Sequence, residues 1–115
     1  MTTSSHWIIE TTDETFEQDV IERSKEVPVV VDFWAEWCQP CRLLGPILER
    51  LTDDFAGKFV LVKANTDQTQ AAARQFRIQS IPAVYGFRDG ELLDSFVGLL
   101  PEHQITTTPL QLLKL

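Results

Sequence analysis

Trp37-Cys38-Gln39-Pro40-Cys41 holds both cysteines of the chain at a C-x-x-C spacing, and its two flanks give that spacing a structural setting. Upstream, Val29-Val30-Val31-Asp32-Phe33-Trp34 is a nearly unbroken β-branched and aromatic run, the pattern of a buried central strand. Downstream, Leu43, Leu44, Ile47, Leu48, Leu51 and Phe55 recur at helical spacing. A strand that feeds a helix through C-x-x-C reads as a redox motif.

Pro40 fixes φ and suits the first helical turn, where its missing N–H costs nothing. Cys38 then stands at the helix N-terminus, where unpaired N–H groups and the helix dipole favour a thiolate and draw the thiol down from about 8.5 toward neutrality. On this reading Cys38 is the nucleophile, and Cys41, one turn further in, is the resolving thiol. Half of a structural zinc site is the competing reading, but it needs four ligands. No other cysteine exists, and the two histidines, His6 and His103, lie near the chain ends without ligand spacing, so no metal is expected. A structural disulfide without turnover is the remaining alternative.

The composition bounds the function classes. A chain of 115 residues fits a single domain, 1–115, with one real core. It is 43% hydrophobic and 23% charged, ordinary for a soluble protein, and no apolar run approaches the roughly 18 residues that span a membrane. Met1 to Ser5 is polar and uncharged and lacks the form of a signal peptide, so a cytoplasmic, thiol-reducing setting is expected. A net charge of -7 with scattered basic residues disfavours nucleic acid and leaves protein partners.

Along the chain, Trp7-Ile8-Ile9 predicts an edge or second-layer strand, and Thr11 with Glu14 has capping-box spacing for a helix carrying Phe16, Val20 and Ile21 inward. The helix after the cysteines should be kinked at Pro46 and stop at Gly57. Phe59 to Ala64 predicts a second buried strand, interrupted by Lys63, and Asp67 is placed to cap a short helix with Ala71, Ala72, Ala73 and Phe76 inward. Ala83 to Phe87 and Leu92 to Val97, joined by Asp89-Gly90, form an antiparallel hairpin, and Gly98 suits a bulge or close backbone approach. Pro101-Glu102 opens a weak or broken last helix. It either stops near Ile105 or gives way to a turn capped by Thr108 before Pro109.

Asp32 is the second residue to explain, because a carboxyl amid Val31, Phe33 and Trp34 is desolvated and its pKa rises. It reads either as proton acceptor and donor for Cys41 or as a carboxyl held by a hydrogen bond or by Lys63. Lys63 in turn either snorkels to the sheet edge or serves as the charge partner of Asp32.

From Ile8 to about Ile105 the chain resembles the thioredoxin family. The resemblance rests on Val31-Asp32-Phe33-Trp34-Ala35-Glu36-Trp37-Cys38-x-Pro40-Cys41, Pro46-Ile47-Leu48, Lys63 with Asn65 and Asp67, Ile81-Pro82, Asp89-Gly90-Glu91 and Val97-Gly98. It implies an α/β fold with a central mixed four- or five-stranded sheet flanked by helices, and a cis Ile81-Pro82 peptide facing the cysteines. It also implies a protein-disulfide reductase that needs no cofactor beyond a Cys38-Cys41 disulfide, acts as a monomer and draws electrons from a thioredoxin reductase. Asp32 and Lys63 would be a buried proton-transfer pair, and Trp37, Gln39, Pro40, Ile81, Pro82 and Gly98 the substrate-facing surface. Gln39 is the departure, since the family has glycine there.

A narrower likeness is to the thioredoxin-like domain of bacterial co-chaperones with tetratricopeptide repeats, carried by Asp19-Val20-Ile21-Glu22-Arg23-Ser24, Leu44-Gly45-Pro46, Val84-x-Gly86-Phe87 and Phe96-Val97-Gly98-x-Leu100-Pro101-Glu102. No such repeats follow here, which makes the chain either an excised domain or a free-standing relative. Its implied alternative is a holdase-type binding domain whose cysteines form mixed disulfides with client proteins.

Overall fold

A computed structural model describes residues 6–100 and residue 104 of the chain. Five strands form one mixed sheet in the order β1-β3-β2-β4-β5. They are β1 (Ile8–Glu10), β2 (Val29–Trp34), β3 (Val60–Asn65), β4 (Ala83–Arg88) and β5 (Glu91–Val97). β1, β3 and β2 run parallel, and β4 and β5 are antiparallel additions. β2 is central, as its continuous apolar run requires, because a strand with both faces covered needs no polar side.

Alternation along the strands sorts the core into two layers. Val29, Val31 and Phe33 of β2, Val60, Val62 and Ala64 of β3, and Ala83 and Phe87 of β4 pack on one face with Phe16, Val20, Ala72 and Phe76. Aromatic rings dominate there: Phe76 meets Phe16, Tyr85 and Phe87 at centroid distances of 5.9, 5.9 and 5.5 Å. On the other face Val30, Leu61 and Val84 pack against Leu44, Leu48 and Leu51 of helix α1 (Gln39–Asp54). Asp32 and Lys63 follow Val30 and Leu61 by two positions, so they share the face that α1 covers.

The first helical segment departs from the capping-box expectation. Thr12 and Thr15 make a turn, with the Thr12 N–H donating to Thr15 Oγ1 at 3.2 Å, and the helix then winds as a π-type segment, Glu17–Glu22, closed by a 3₁₀ turn, Arg23–Lys25. Glu14 makes no capping box with Thr11, whose N–H donates to the Lys63 carbonyl at 3.1 Å and whose Oγ1 lies 3.2 Å from Thr15 Oγ1. Ser24 ties this segment to the β4-β5 hairpin: its carbonyl accepts from the Asp89 N–H and its Oγ from the Gly90 N–H, each at 2.8 Å. Asp89 and Gly90 both take positive φ, +54° and +82°, the conformation a two-residue turn of this hand demands.

Helix α2 (Gln70–Gln75) corrects a second expectation. Asp67 does not cap it. Asp13 does, from 58 residues upstream, with its two carboxylate oxygens accepting the N–H groups of Ala71 and Ala72 at 3.0 Å. The Asp67 N–H instead donates to Asn65 Oδ1 in the preceding turn.

α1 starts at Gln39, directly after Cys38, carries Pro46 in its interior and is closed at Phe55. Gly57 follows with φ of +92°, and a Cβ there would lie 2.7 Å from Trp7 Nε1, so both backbone and packing demand glycine. Gly98 has φ of +94° with open space beside it, so its conformation and not crowding explains the residue. Its N–H donates to the Pro82 carbonyl at 2.8 Å. The irregularity in the hairpin lies between Gly86 and Phe87 instead. The expected last helix, beginning at Pro101-Glu102, lies outside the described residues apart from Gln104.

Candidate redox site

The two cysteines sit where β2 hands over to α1, as the strand-to-helix reading requires. They are joined as a disulfide, with Cα atoms 5.3 Å apart. Cys38 is the N-cap of α1, in extended backbone, and its Sγ accepts the Cys41 N–H at 3.2 Å. A sulfur in that position faces one of the helix N–H groups that have no intrahelical partner, an arrangement that favours negative charge. Both cysteines are nearly buried, 5% and 2% exposed, and pack with Ala35, Trp34 and Ile81.

The Ile81-Pro82 peptide is cis, as the resemblance implies, and the Ile81 carbonyl lies 3.8 Å from Cys38 Sγ, within reach of a thiol proton there. Pro82 itself is buried, so the exposed substrate-facing surface that the resemblance implies does not include its side chain. Trp37 is 71% exposed, Gln39 and Pro40 are exposed, and Ile81 and Gly98 are half-buried. Trp37 and Ile81 line a surface pocket of about 440 Å³ with Thr66, Ala73, Ile78, Gln79 and Ser80. It shares Thr66, Ala73, Ile78 and Gln79 with a neighbouring depression that extends to Gln70, Arg74 and Arg77. Sequence reading placed Trp37 and Ile81 on the substrate-facing surface but not Thr66, Ala73, Ile78, Gln79 or Ser80, which join them only when the α2-β4 connection folds back beside Trp37.

Asp32 is 1% exposed, and neither of its carboxylate oxygens has a protein hydrogen-bond partner among the described residues. Burial is the main cause that pushes its pKa from 3.8 up to about 7; the Lys63 ammonium opposes this and the Glu49 carboxylate adds to it. Asp32 and Lys63 are register partners across β2 and β3.

Lys63 nevertheless does not close an ion pair with Asp32. Its Nζ donates to Glu49 Oε2 of α1 at 2.6 Å and lies 5.1 Å from the centroid of the Trp34 ring. Nor does it reach a sheet edge, because β3 is flanked by β1 and β2. Glu49 is thus the charged residue that reading the sequence missed. The available signal was the four-residue spacing Cys41, Gly45, Glu49, which places all three on one stripe of the helix. Gly45 lies beside the pair: a Cβ there would make only ordinary contacts, 3.5 Å from Lys63 Nζ and 3.9 Å from Glu49 Oε2.

Among the described residues no group of three or more His, Cys, Asp or Glu side chains could hold a metal ion, and no helix is long and apolar enough to cross a membrane. The redox-active group available to this site is the cysteine pair itself.

Comparison with known proteins agrees with this geometry. A family model described as thioredoxin matches residues 7–109. Thioredoxin 1 of Synechococcus elongatus is 41% identical over 97 residues, covering 84% of this chain and 89% of its own length. The thioredoxin of Chlorobaculum thiosulfatiphilum is 42% identical over 96 residues, 84% of this chain and 87% of that protein. The M-type chloroplastic thioredoxin of Spinacia oleracea is 42% identical over 94 residues, 82% of this chain and 51% of that protein.

Proposed function

The chain belongs to the thioredoxin family and is a dithiol thiol-disulfide oxidoreductase of protein disulfides, and from that premise we propose how its residues divide the reaction. The Cys38 thiolate attacks one sulfur of a partner's disulfide, forming a mixed disulfide and expelling the partner's other sulfur as a thiolate. Asp32 then takes the proton of Cys41, whose thiolate attacks Cys38 Sγ. The Cys38-Cys41 disulfide forms, the second partner sulfur leaves as a thiolate that takes up a proton, and two electrons have passed to the partner.

The observation that supports this division is the Cys41 N–H aimed at Cys38 Sγ at the start of α1, 3.2 Å away. It favours charge on Cys38 and leaves Cys41, deeper and less exposed, as the thiol that needs a base. Asp32 has the pKa for that task at neutral pH, and Lys63 is the nearby cation that tunes it. Trp37, Gln39, Pro40, Ile81 and Gly98 form the docking surface, and the Pro82 segment supplies backbone acceptors to an extended stretch of the partner.

In this reading residues 1–115 act as a single monomeric domain in the cytoplasm, re-reduced by a thioredoxin reductase. Insulin reduction with dithiothreitol tests it: the wild-type protein accelerates precipitation, Cys38→Ser abolishes the acceleration, and Cys41→Ser accumulates mixed disulfides with the substrate. A wild-type protein at the uncatalysed rate would favour a binding domain that only captures clients. Activity retained by Cys38→Ser would overturn the role of Cys38.

A further inference from the structure

The Asp32 carboxyl has a cation beside it and yet no hydrogen-bond partner among the described residues. Lys63 is its register neighbour on β3 and faces the same side of the sheet, but the ammonium is drawn to Glu49 on α1. Gly45, one turn before Glu49, lies beside that ion pair. Of the elements packed around Asp32, β3 contributes the charge of Lys63, α1 contributes Glu49 and, when reduced, the cysteine thiols, and the β4 partner is the uncharged Val84.

We propose that Glu49 is a positioning residue for the second thiol step: by holding the Lys63 ammonium, it prevents that cation from pairing directly with Asp32. A carboxyl paired with an ammonium would stay ionised and be a poor proton acceptor. Left unpaired in a desolvated site, it can take up the Cys41 proton at neutral pH. The functional consequence rests on the role given to Asp32 above, whereas the electrostatic arrangement can be tested without turnover.

The test uses the oxidised protein, in which no thiol titrates, and follows the Asp32 carboxyl carbon by NMR against pH. The wild-type midpoint lies at about 7. In Glu49→Gln the released lysine turns to Asp32 and the midpoint falls by on the order of one unit. In Lys63→Met it rises. On the Lys63→Met background, Glu49→Gln loses more than half of its effect, because no cation remains to be released. An unchanged midpoint in Glu49→Gln overturns the proposal, and so does an equal shift in both backgrounds, which would make Glu49 a remote charge and not a holder of Lys63.

Stopped-flow measurement of mixed-disulfide resolution in reduced Glu49→Gln carries the same shift to the acid limb of its pH profile. If Asp32→Asn leaves resolution unaltered, the base role of Asp32 fails, while the NMR titration still decides the role of Glu49.

Discussion

At the scale of single residues, Asp32 ties stability to chemistry. An unfolded Asp releases its proton near 3.8, whereas the folded carboxyl keeps it up to about pH 7. Between those values the folded state binds more protons than the unfolded one, so stability is highest at the acid end of the window and falls as pH rises toward 7. The full cost above that window is on the order of 4 kcal/mol, since each pKa unit corresponds to about 1.4 kcal/mol. Asp32→Asn resembles the protonated carboxyl in shape and charge, and so removes this dependence. In urea denaturation of the oxidised protein, the variant should match wild type near pH 4 and exceed it by several kcal/mol at pH 8.5. An equal difference at both pH values would show that Asp32 titrates as an ordinary carboxyl. The residue proposed for proton transfer is thus one that the fold alone would be better without.

At the scale of elements, α2 shows how a short helix is held from outside. Its six residues are too few to be stable alone, and Thr69 at its N-cap makes no side-chain cap bond. Asp13 supplies both acceptors, and as an anion at a helix N-terminus it gains from the dipole as well. Asp13→Ala should lower stability by about 1 to 2 kcal/mol, and Asp13→Asn by less, read from urea midpoints at constant slope. If the loss reached α2 only, hydrogen exchange at Ala71 to Arg74 would quicken while β2 kept its protection. This cap also explains where local reading stopped. Strands β2 to β5, α1 and the Asp89-Gly90 turn follow from periodicity and turn chemistry within a few residues, and all of them were legible. Asp13 belongs in sequence to the approach of the first helix, where Thr11 and Glu14 suggest a box. Its actual partners lie 58 and 59 residues away, beyond any window. The cysteines and Asp32 were legible for the same reason that the strands were, since unusual chemistry stood inside regular patterns. Glu49 was not, because a carboxylate off the apolar face of a helix looks solvated until the β3 lysine beneath it is placed.

At the scale of the whole molecule, the sheet separates two layers with different duties. The face covered by α2 and the π-wound segment is aromatic and carries no ionisable group among its buried residues. The face covered by α1 carries Asp32, Lys63, Glu49 and the cysteines. A molecule divided in this way can lose packing on one face without disturbing titration on the other, because alternate residues of each strand point to opposite sides of the sheet and bury their side chains separately. Val62→Ala, in the aromatic layer, removes two buried methyl groups and should cost about 2 kcal/mol. Leu48→Ala, in the α1 layer, should cost about 2 to 5 kcal/mol. The two losses should add to within about 0.5 kcal/mol in the double variant, measured by urea denaturation at one pH. The separation also has a functional reading. Val62→Ala should leave the Asp32 midpoint where it is in the oxidised protein, despite lowering stability, because the carboxyl keeps its desolvated environment and both charged neighbours. A clear shift of that midpoint in Val62→Ala, or a large coupling energy between the two truncations, would mean that the layers are not independent and that the redox site draws on the packing of the whole core.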